Sequence, residues 1–305
     1  MKRYPQCIMA TCCVPWDEQG GFMEVVFRRG VRNAIRDGTP HLYIFGTAGE
    51  GYAVTDHQFF EIVTAFADEM RQNDAEPMVG VIHLSLGTIL ERISRCHEMG
   101  IRDYQISLPS WGALSERELY SFFGEVCGRF PDCRFLHYNL PRTKRIVTPE
   151  EYGRLSAEHP NLVATKNSND SFSTTARLLE LAPELQHFLG ETGFAYASQF
   201  AECGLLASLV TGWRELQRLL DAGRNRDLAV LAEIAGDVRV YFDQLRFLMD
   251  PPLIDGAYDK MFARIQDPEF PLRLLPPYES VSEEQFQQFE SSLRERVPHW
   301  MPSRD

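Results

Sequence analysis

The sequence predicts an α/β fold, a (β/α)8 TIM barrel followed by a C-terminal helical extension. Short apolar runs alternate with amphipathic helical patterns to about residue 210, which is typical of parallel βα units. There are eight such runs, the number of strands that closes a parallel barrel. The 305 residues, 44% hydrophobic, would also fit two ordinary domains. The repeating pattern favours a barrel core over residues 1–212, with the final barrel helix and the extension over residues 213–305.

The strands are predicted from their short apolar runs, each separated from the next by a helical pattern. In chain order they are Ile8–Val14, Leu42–Phe45, Met78–Ile82, Tyr104–Leu108, Arg134–Tyr138, Leu162–Lys166, Gln186–Leu189 and Leu206–Val210. Because the ends of barrel strands converge on one face, residues far apart in the sequence can meet there.

Several helices have starts marked by capping boxes, in which Ser or Thr precedes Glu or Gln by three residues and both side chains satisfy backbone N–H groups. They are Thr55 with Gln58, Ser115 with Glu118, and Thr148 with Glu151. After the eighth strand, helical patterns cover Trp213–Met249 and Ser282 to about Glu295, with proline pairs at 251–252 and 276–277 between them.

The net charge of −12 argues against nucleic acid or an anionic membrane surface as a partner. No apolar stretch approaches the ~20 residues that span a bilayer, and the N-terminus has no signal-peptide core. We therefore expect a cytoplasmic protein. The seven cysteines include no Cys-x-x-Cys pair, so neither a structural zinc site nor a disulfide framework is expected.

Lys166 is the most informative residue, because it ends a predicted buried strand just before the polar loop Asn167–Ser171. Desolvation favours the neutral amine, so a lysine in such a place can attack a carbonyl and form a Schiff base. The alternative is a lysine that merely extends its stem from a strand end into solvent.

A turn of small residues follows the second predicted strand at Gly46-Thr47-Ala48-Gly49-Glu50-Gly51. Such a turn exposes successive backbone N–H groups, which can hold a carboxylate. It lacks the Gly-Lys-Ser/Thr ending of a phosphate-binding loop. The alternative is an ordinary βα turn that needs glycine for its backbone angles.

Tyr138 ends the fifth predicted strand and precedes Asn139-Leu140-Pro141. A phenol near a Schiff-base nitrogen can transfer protons if the cation lowers its pKa. The alternative is a packing residue with a hydrated hydroxyl. His137 should point the other way, towards the helices.

In chain order, the turn after the second strand, the Tyr138 motif after the fifth and Lys166 at the end of the sixth resemble the dihydrodipicolinate synthase / N-acetylneuraminate lyase family of pyruvate-dependent class I aldolases. The resemblance extends from about Ile8 through the C-terminal helices, and it implies a TIM barrel with a C-terminal helical extension that usually assembles as a tetramer built from two dimers. It implies that Lys166 forms an imine with a small 2-oxo acid and that Tyr138 relays protons. Thr47 and the backbone at Gly46 and Ala48 would receive the substrate carboxylate. No cofactor beyond the covalent imine is expected.

The sequence departs from the synthases of this family at several positions. Ala48 replaces a second hydroxyl residue, which removes one hydrogen bond worth about 1.5–3 kcal/mol for a charged partner. Trp111 stands where synthases carry a tyrosine that is donated across the dimer contact into the proton relay, and an indole cannot relay a proton as a phenol can. Arg142 or Arg145 could replace the family's substrate-binding arginine, or both could be solvated.

Two further positions are expected near the substrate tail. Thr192 replaces an acid in the loop after the seventh strand, and Ser208 matches a hydroxyl of the family's pocket, although it could also simply fill the barrel. His83 is the one histidine placed to face the site, where it could contact substrate, although it could also simply be an exposed loop residue. No His-x-His or clustered His and Glu stands at the strand ends, so a metal-dependent aldolase is not expected.

The sequence therefore predicts a Schiff-base lyase, aldolase or dehydratase that acts on a 2-oxo acid, with pyruvate as product or donor. The first alternative is dihydrodipicolinate synthase itself, against which Trp111 argues. The alternative from another class is a catalytically silent barrel that binds a 2-oxo acid. A homo-oligomer, either tetramer or dimer, is expected.

Overall fold

The computed structural model describes residues 3–168, 171–248 and 252–302. Eight parallel strands form a closed barrel in chain order, which confirms the predicted fold class. The strands are β1 (Ile8–Thr11), β2 (Leu42–Ile44), β3 (Met78–Gly80), β4 (Asp103–Ile106), β5 (Arg134–Asn139), β6 (Leu162–Asn167), β7 (Gln186–Leu189) and β8 (Gly204–Ala207).

Helices cover the outside of the barrel, and further helices follow its last strand. In the described parts of the chain they are α1 (Glu24–Asp37), α2 (Asp56–Gln72), α3 (Leu86–Glu98), α4 (Glu116–Arg129), α5 (Pro149–Glu158), α6 (Phe172–Leu181), α7 (Glu191–Ala197), α8 (Trp213–Asn225), α9 (Leu228–Leu248), α10 (Asp255–Gln266) and α11 (Glu283–Arg296). Among these helices, none combines the length and the hydropathy needed to cross a membrane.

The predicted strand bounds are wrong at both ends of the barrel sequence. β1 ends at Thr11 rather than Val14, because the chain leaves the sheet so that the Trp16 indole N–H can donate to Glu50 (2.8 Å). β8 covers 204–207 rather than 206–210, because the N–H groups of Ser208 and Leu209 donate to the Glu191 carboxylate (2.6 and 2.8 Å). The Glu191 carboxylate therefore accepts the hydrogen bonds that a carbonyl group of the neighbouring strand would otherwise accept.

The helical pattern predicted over Trp213–Met249 belongs to two helices. Arg226, with a φ of 54°, ends α8 in the left-handed conformation, and α9 starts two residues later. Met249 and Pro251 lie outside the described residues, as do Asn169 and Asp170 in the loop after β6.

The predicted helix starts are confirmed. All three capping boxes form both of their reciprocal hydrogen bonds, and Ser282 with Gln285 adds a fourth at the start of α11. His137 also points outwards as predicted, with its Nδ1 atom 2.6 Å from the Tyr152 hydroxyl on α5. These contacts leave the opposite side of β5 free to contribute Tyr138 to the barrel interior.

A buried carboxylate fixes α10 over the loop after β2. Glu50 has no exposed surface, and its carboxylate accepts hydrogen bonds from the Trp16 indole (2.8 Å) and the Leu275 backbone (2.7 Å). The Nζ atom of Lys260 on α10, also fully buried, lies 2.5 Å from Glu50 Oε1. The C-terminal extension is therefore held against the mouth of the barrel.

Candidate active site

A cavity of about 570 Å³ opens at the carboxyl ends of the barrel strands. Its walls include Lys166, Tyr138, Thr47, Ala48 and Ser208, which the sequence predicts as site residues. Residues of α9 and α10 form its roof. Three strand ends and the position just after β8 therefore bring the predicted residues into one space, as the barrel topology requires.

Lys166 is almost enclosed, with 7% of its surface exposed. Its Nζ atom donates a hydrogen bond to the Tyr43 hydroxyl (2.9 Å) and lies 3.8 Å from the centre of the Tyr138 ring. The ammonium is thus held between two phenols at the cavity wall. Among the described residues, no carboxylate lies within ion-pair distance of it.

These phenols change the expected protonation of Lys166. Burial lowers the pKa of the amine, but the neighbouring Tyr138 and Tyr43 outweigh burial and raise it above its ordinary value. The expectation that burial alone would leave a neutral amine is therefore wrong. The nucleophilic form requires a neighbouring group that accepts a proton from the ammonium.

The pKa of Tyr138 is shifted in the opposite direction to that of Lys166. Burial raises the pKa of its phenol, but the Lys166 charge and hydrogen bonds with Ser168 and Thr47 outweigh burial and lower it. A cation and hydroxyl donors favour the charged phenolate. Tyr138 is therefore suited to accept the proton of Lys166.

Tyr43 is a site residue that the sequence analysis missed. It lies on β2 with only 2% of its surface exposed, and it lines the same cavity. Burial raises its pKa, and the nearby Lys166 offsets that effect only in part. A strand aromatic in the segment Leu-Tyr-Ile is indistinguishable from a core residue until the barrel closes.

The turn after β2 has the geometry of a carboxylate site. Phe45 has a positive φ of 59°, and a Cβ atom on Gly49 would lie 2.6 Å from the Phe45 backbone nitrogen, so a larger residue does not fit there. Among the described residues, the N–H groups of Thr47 and Ala48 have no hydrogen-bond acceptor. Two free N–H groups can bind an anionic oxygen.

The acidic residues of α10 were also missed. Asp255 and Asp259 are one helical turn apart and both line the cavity. Burial raises the pKa of Asp255, but the Arg142 guanidinium, with two hydrogen bonds of 2.8 and 2.9 Å to this carboxylate, holds it below its usual range. Burial, with Asp255 nearby, raises the pKa of Asp259 to about 8. Tertiary docking of the helix brings these residues to the site, and no strand-end motif marks them.

The remaining predicted residues lie away from the cavity walls. Trp111 is 83% exposed, and Thr192 is exposed on α7. Gly46 is buried beneath the turn, where a Cβ atom would lie 2.9 Å from the Tyr43 ring. Contact of these residues with substrate stays a prediction.

Two basic side chains have other partners. Arg145 pairs with Glu151 rather than reaching the cavity. The imidazole of His83 accepts a hydrogen bond from the Ser85 backbone N–H (3.0 Å) and does not line the cavity. Of the two possibilities, the structure favours a loop histidine, because its own loop provides the hydrogen-bond partner.

The sequence and the fold are similar to known proteins. The Dihydrodipicolinate synthetase family matches residues 5–209. A 4-hydroxy-tetrahydrodipicolinate synthase of Exiguobacterium sp. is 27% identical over 178 residues, which are 58% of this chain and 60% of that protein. The chain thus covers less than two thirds of that relative. The corresponding synthase of Thermosynechococcus vestitus is 22% identical over 87% of this chain and 90% of its own length.

Among solved structures, YagE, an E. coli prophage protein of the dihydrodipicolinic acid synthase family in complex with pyruvate, has the same fold. It superposes with a TM-score of 0.86 over 95% of this chain and 98% of its own, at 17% identity. This likeness covers both the barrel and the C-terminal helices.

Proposed function

The chain belongs to the dihydrodipicolinate synthetase family, and from that premise we propose that it is a Schiff-base lyase, aldolase or dehydratase acting on a 2-oxo acid. The observation that carries the proposal is the position of Lys166 Nζ. This nitrogen lies at the wall of the cavity, in contact with two phenols. A lysine so placed can form a covalent imine, which then withdraws electrons from the neighbouring carbons.

The geometry supports a defined order of events. The carboxylate of the 2-oxo acid binds the free N–H groups of Thr47 and Ala48, which directs its carbonyl carbon towards Lys166. Tyr138 accepts a proton from the ammonium, and the neutral amine bonds to the carbonyl carbon. Water leaves as the iminium forms, and its positive charge stabilises electron density on the adjacent carbon during bond cleavage, bond formation or dehydration.

The acidic roof of the cavity is compatible with an anionic substrate. Arg142 neutralises Asp255 through its two hydrogen bonds. With a pKa of about 8, the Asp259 carboxyl is largely protonated at neutral pH. Neither group therefore presents a full unpaired negative charge to a 2-oxo acid. We propose that pyruvate is the product or the donor and that the imine on Lys166 is the sole cofactor-like group.

A screen of 2-oxo acids tests this proposal. The protein is incubated with each acid and borohydride, and the mass of the intact chain is measured. We expect the mass increase of a reduced imine with pyruvate or another member of the panel, followed by C–C cleavage, condensation or dehydration products with that compound. A full panel without any adduct would refute the proposal and favour a catalytically silent barrel.

The synthase reaction is the second candidate, since the relatives described above are named 4-hydroxy-tetrahydrodipicolinate synthase. Trp111 argues against it, because it supplies no phenol at the position of the expected relay tyrosine. We expect poor condensation of pyruvate with aspartate semialdehyde compared with cleavage or dehydration of longer 2-oxo acids, and improved condensation in Trp111→Tyr. A wild-type kcat/KM approaching about 10⁴ M⁻¹s⁻¹ in that condensation would instead identify a synthase.

We also propose a cytoplasmic homo-oligomer, either dimer or tetramer. Phe172, Tyr196 and Phe200 are 45%, 46% and 61% exposed, and their rings pack together with centroids 4.3–5.9 Å apart. An exposed aromatic cluster of this kind favours burial against another copy. Sedimentation of wild type and Phe200→Ser tests this: we expect a dimer or tetramer that the substitution weakens, and a wild-type monomer would contradict it.

A further inference from the structure

A second phenol contacts the reacting nitrogen from inside the barrel. The Tyr43 hydroxyl accepts the hydrogen bond of Lys166 Nζ over 2.9 Å. Within the part of the chain that the structure describes, this hydroxyl has no other hydrogen-bond partner. It therefore faces the reacting atom and the cavity.

Tyr43 and Tyr138 have different environments although both contact Lys166. Tyr138 receives hydrogen bonds from Ser168 and Thr47, and its pKa is lowered because these donors and the cation outweigh burial. For Tyr43, burial outweighs the effect of Lys166 and raises the pKa. When surroundings move the pKa values of two neighbouring groups apart, one group is suited to act as a base and the other as an acid.

We infer that Tyr43 is the catalytic acid of imine formation at Lys166, a role that rests on the function proposed above. Attack by the neutral amine gives a tetrahedral intermediate that carries a hydroxyl on the former carbonyl carbon. Tyr43 gives its proton to that hydroxyl, the C–O bond breaks, and water leaves. The nitrogen lone pair forms the C=N bond at the same time.

The proton returns when product is released. Water attacks the iminium carbon, its proton passes to the Tyr43 phenolate, and the reverse sequence frees Lys166. The two phenols thus divide the work, since Tyr138 accepts the proton that the ammonium must lose and Tyr43 supplies the proton that leaves with water. This division needs no phenol at position 111.

Tyr43→Phe tests the inference against a purely structural role. Single-turnover imine formation with pyruvate, stopped by borohydride at timed intervals, should slow by about 10²-fold or more, as expected for loss of a general acid. Tyr4→Phe is the matched control: Tyr4 is also buried in the barrel interior, but its hydroxyl contacts His41 (3.2 Å) and not Lys166. The control should keep the wild-type rate, and a wild-type rate in Tyr43→Phe would overturn the inference.

Replacing Tyr43 by 3-fluorotyrosine provides a test that preserves size and the hydroxyl, should the phenylalanine variant fail to fold. The more acidic phenol should move the alkaline limb of the imine-formation rate to lower pH, and an unchanged profile would contradict the acid role. The outcomes separate the two proposals. If wild type forms no imine with any 2-oxo acid, the proposed function fails. A wild-type rate in Tyr43→Phe, or an unchanged pH profile in the fluorotyrosine variant, removes Tyr43 alone.

Discussion

Lys166 and Lys260 are both buried lysines, and they differ in every respect that decides reactivity. Lys260 is fully buried, its Nζ lies 2.5 Å from Glu50 Oε1, and it also donates to the Arg273 carbonyl oxygen. Lys166 is 7% exposed at a cavity wall and contacts phenols. Lys260 therefore has its partners within the fold, whereas Lys166 faces an open space.

The comparison shows that a lowered pKa does not by itself identify a nucleophile. Burial lowers the pKa of Lys260 despite the Glu50 carboxylate beside it, yet no substrate can reach this nitrogen. The Tyr138 and Tyr43 phenols raise the pKa of Lys166 in spite of burial, yet this is the nitrogen that a carbonyl can approach. Access and a nearby proton acceptor distinguish the reactive lysine from the structural one.

Removing the reactive amine should give the largest effect. Lys166→Ala should reduce turnover by about 10⁴-fold or more, the order seen when a covalent nucleophile is lost, and should abolish the borohydride-reducible adduct. The free energy of unfolding should change little, because the lost hydrogen bond to Tyr43 is offset by no longer burying an ammonium. Steady-state kinetics and urea unfolding measure both effects, and an adduct in this variant would show that another lysine reacts.

Removing a phenol partner of Lys166 should affect chemistry with little effect on substrate binding. Tyr138→Phe should slow proton transfer by about 10²- to 10⁴-fold while imine formation remains detectable. Presteady-state kinetics under conditions where chemistry limits the rate provide the measurement. Turnover close to wild type would remove Tyr138 from the mechanism.

Breaking the ion pair between Lys260 and Glu50 should lower the stability of the fold and leave imine formation intact. Lys260→Met should destabilise the fold by about 3–5 kcal/mol, because it leaves the Glu50 carboxylate buried without its cation. Adding Glu50→Gln should restore part of this loss, and the double-mutant cycle from urea unfolding gives the coupling between the two residues. If Lys260→Met abolished imine formation in the folded protein while leaving stability unchanged, the structural assignment would be wrong.

The two acidic residues of α10 predict a smaller effect on stability, one that depends on pH. The Asp259 pKa is raised to about 8 in the folded protein, so the folded state binds the extra proton. The contribution of the Asp259 carboxyl to wild-type stability is therefore fully present below its unfolded pKa of about 4. That contribution is lost as the pH rises through 8. Asp259→Asn should therefore stabilise the protein at pH 9 and have little effect at pH 4.

Asp255→Asn is the matched control, because Arg142 holds the Asp255 pKa below its usual range. The contribution of the Asp255 carboxylate to stability is present at neutral pH and is lost as the pH falls. Asp255→Asn should therefore destabilise the protein at pH 7. Thermal unfolding across the pH range measures both variants. Equal curves for wild type and Asp259→Asn would show that the Asp259 carboxyl titrates normally.

The strand count, the helix starts and the strand-end positions of Lys166, Tyr138 and Thr47 could be predicted from sequence, because periodicity and capping are local signals. Tyr43 could not be predicted as a site residue. A buried aromatic residue on a strand gives the same sequence pattern whether it packs in the core or contacts a catalytic nitrogen. The position of Asp259 depends on the Glu50–Lys260 pair, which joins residues 210 positions apart in the chain. The end of β8 depended similarly on the distant Glu191 carboxylate.

Peptide mapping of the reduced adduct tests the contrast between the two lysines most directly. The protein is treated with pyruvate, or with the 2-oxo acid that gives the largest adduct, and borohydride, and the digest is analysed by mass spectrometry. We predict a reduced imine on Lys166 and none on Lys260. Labelling of Lys260, or an adduct distributed over exposed lysines with Lys166 unmodified, would contradict the account.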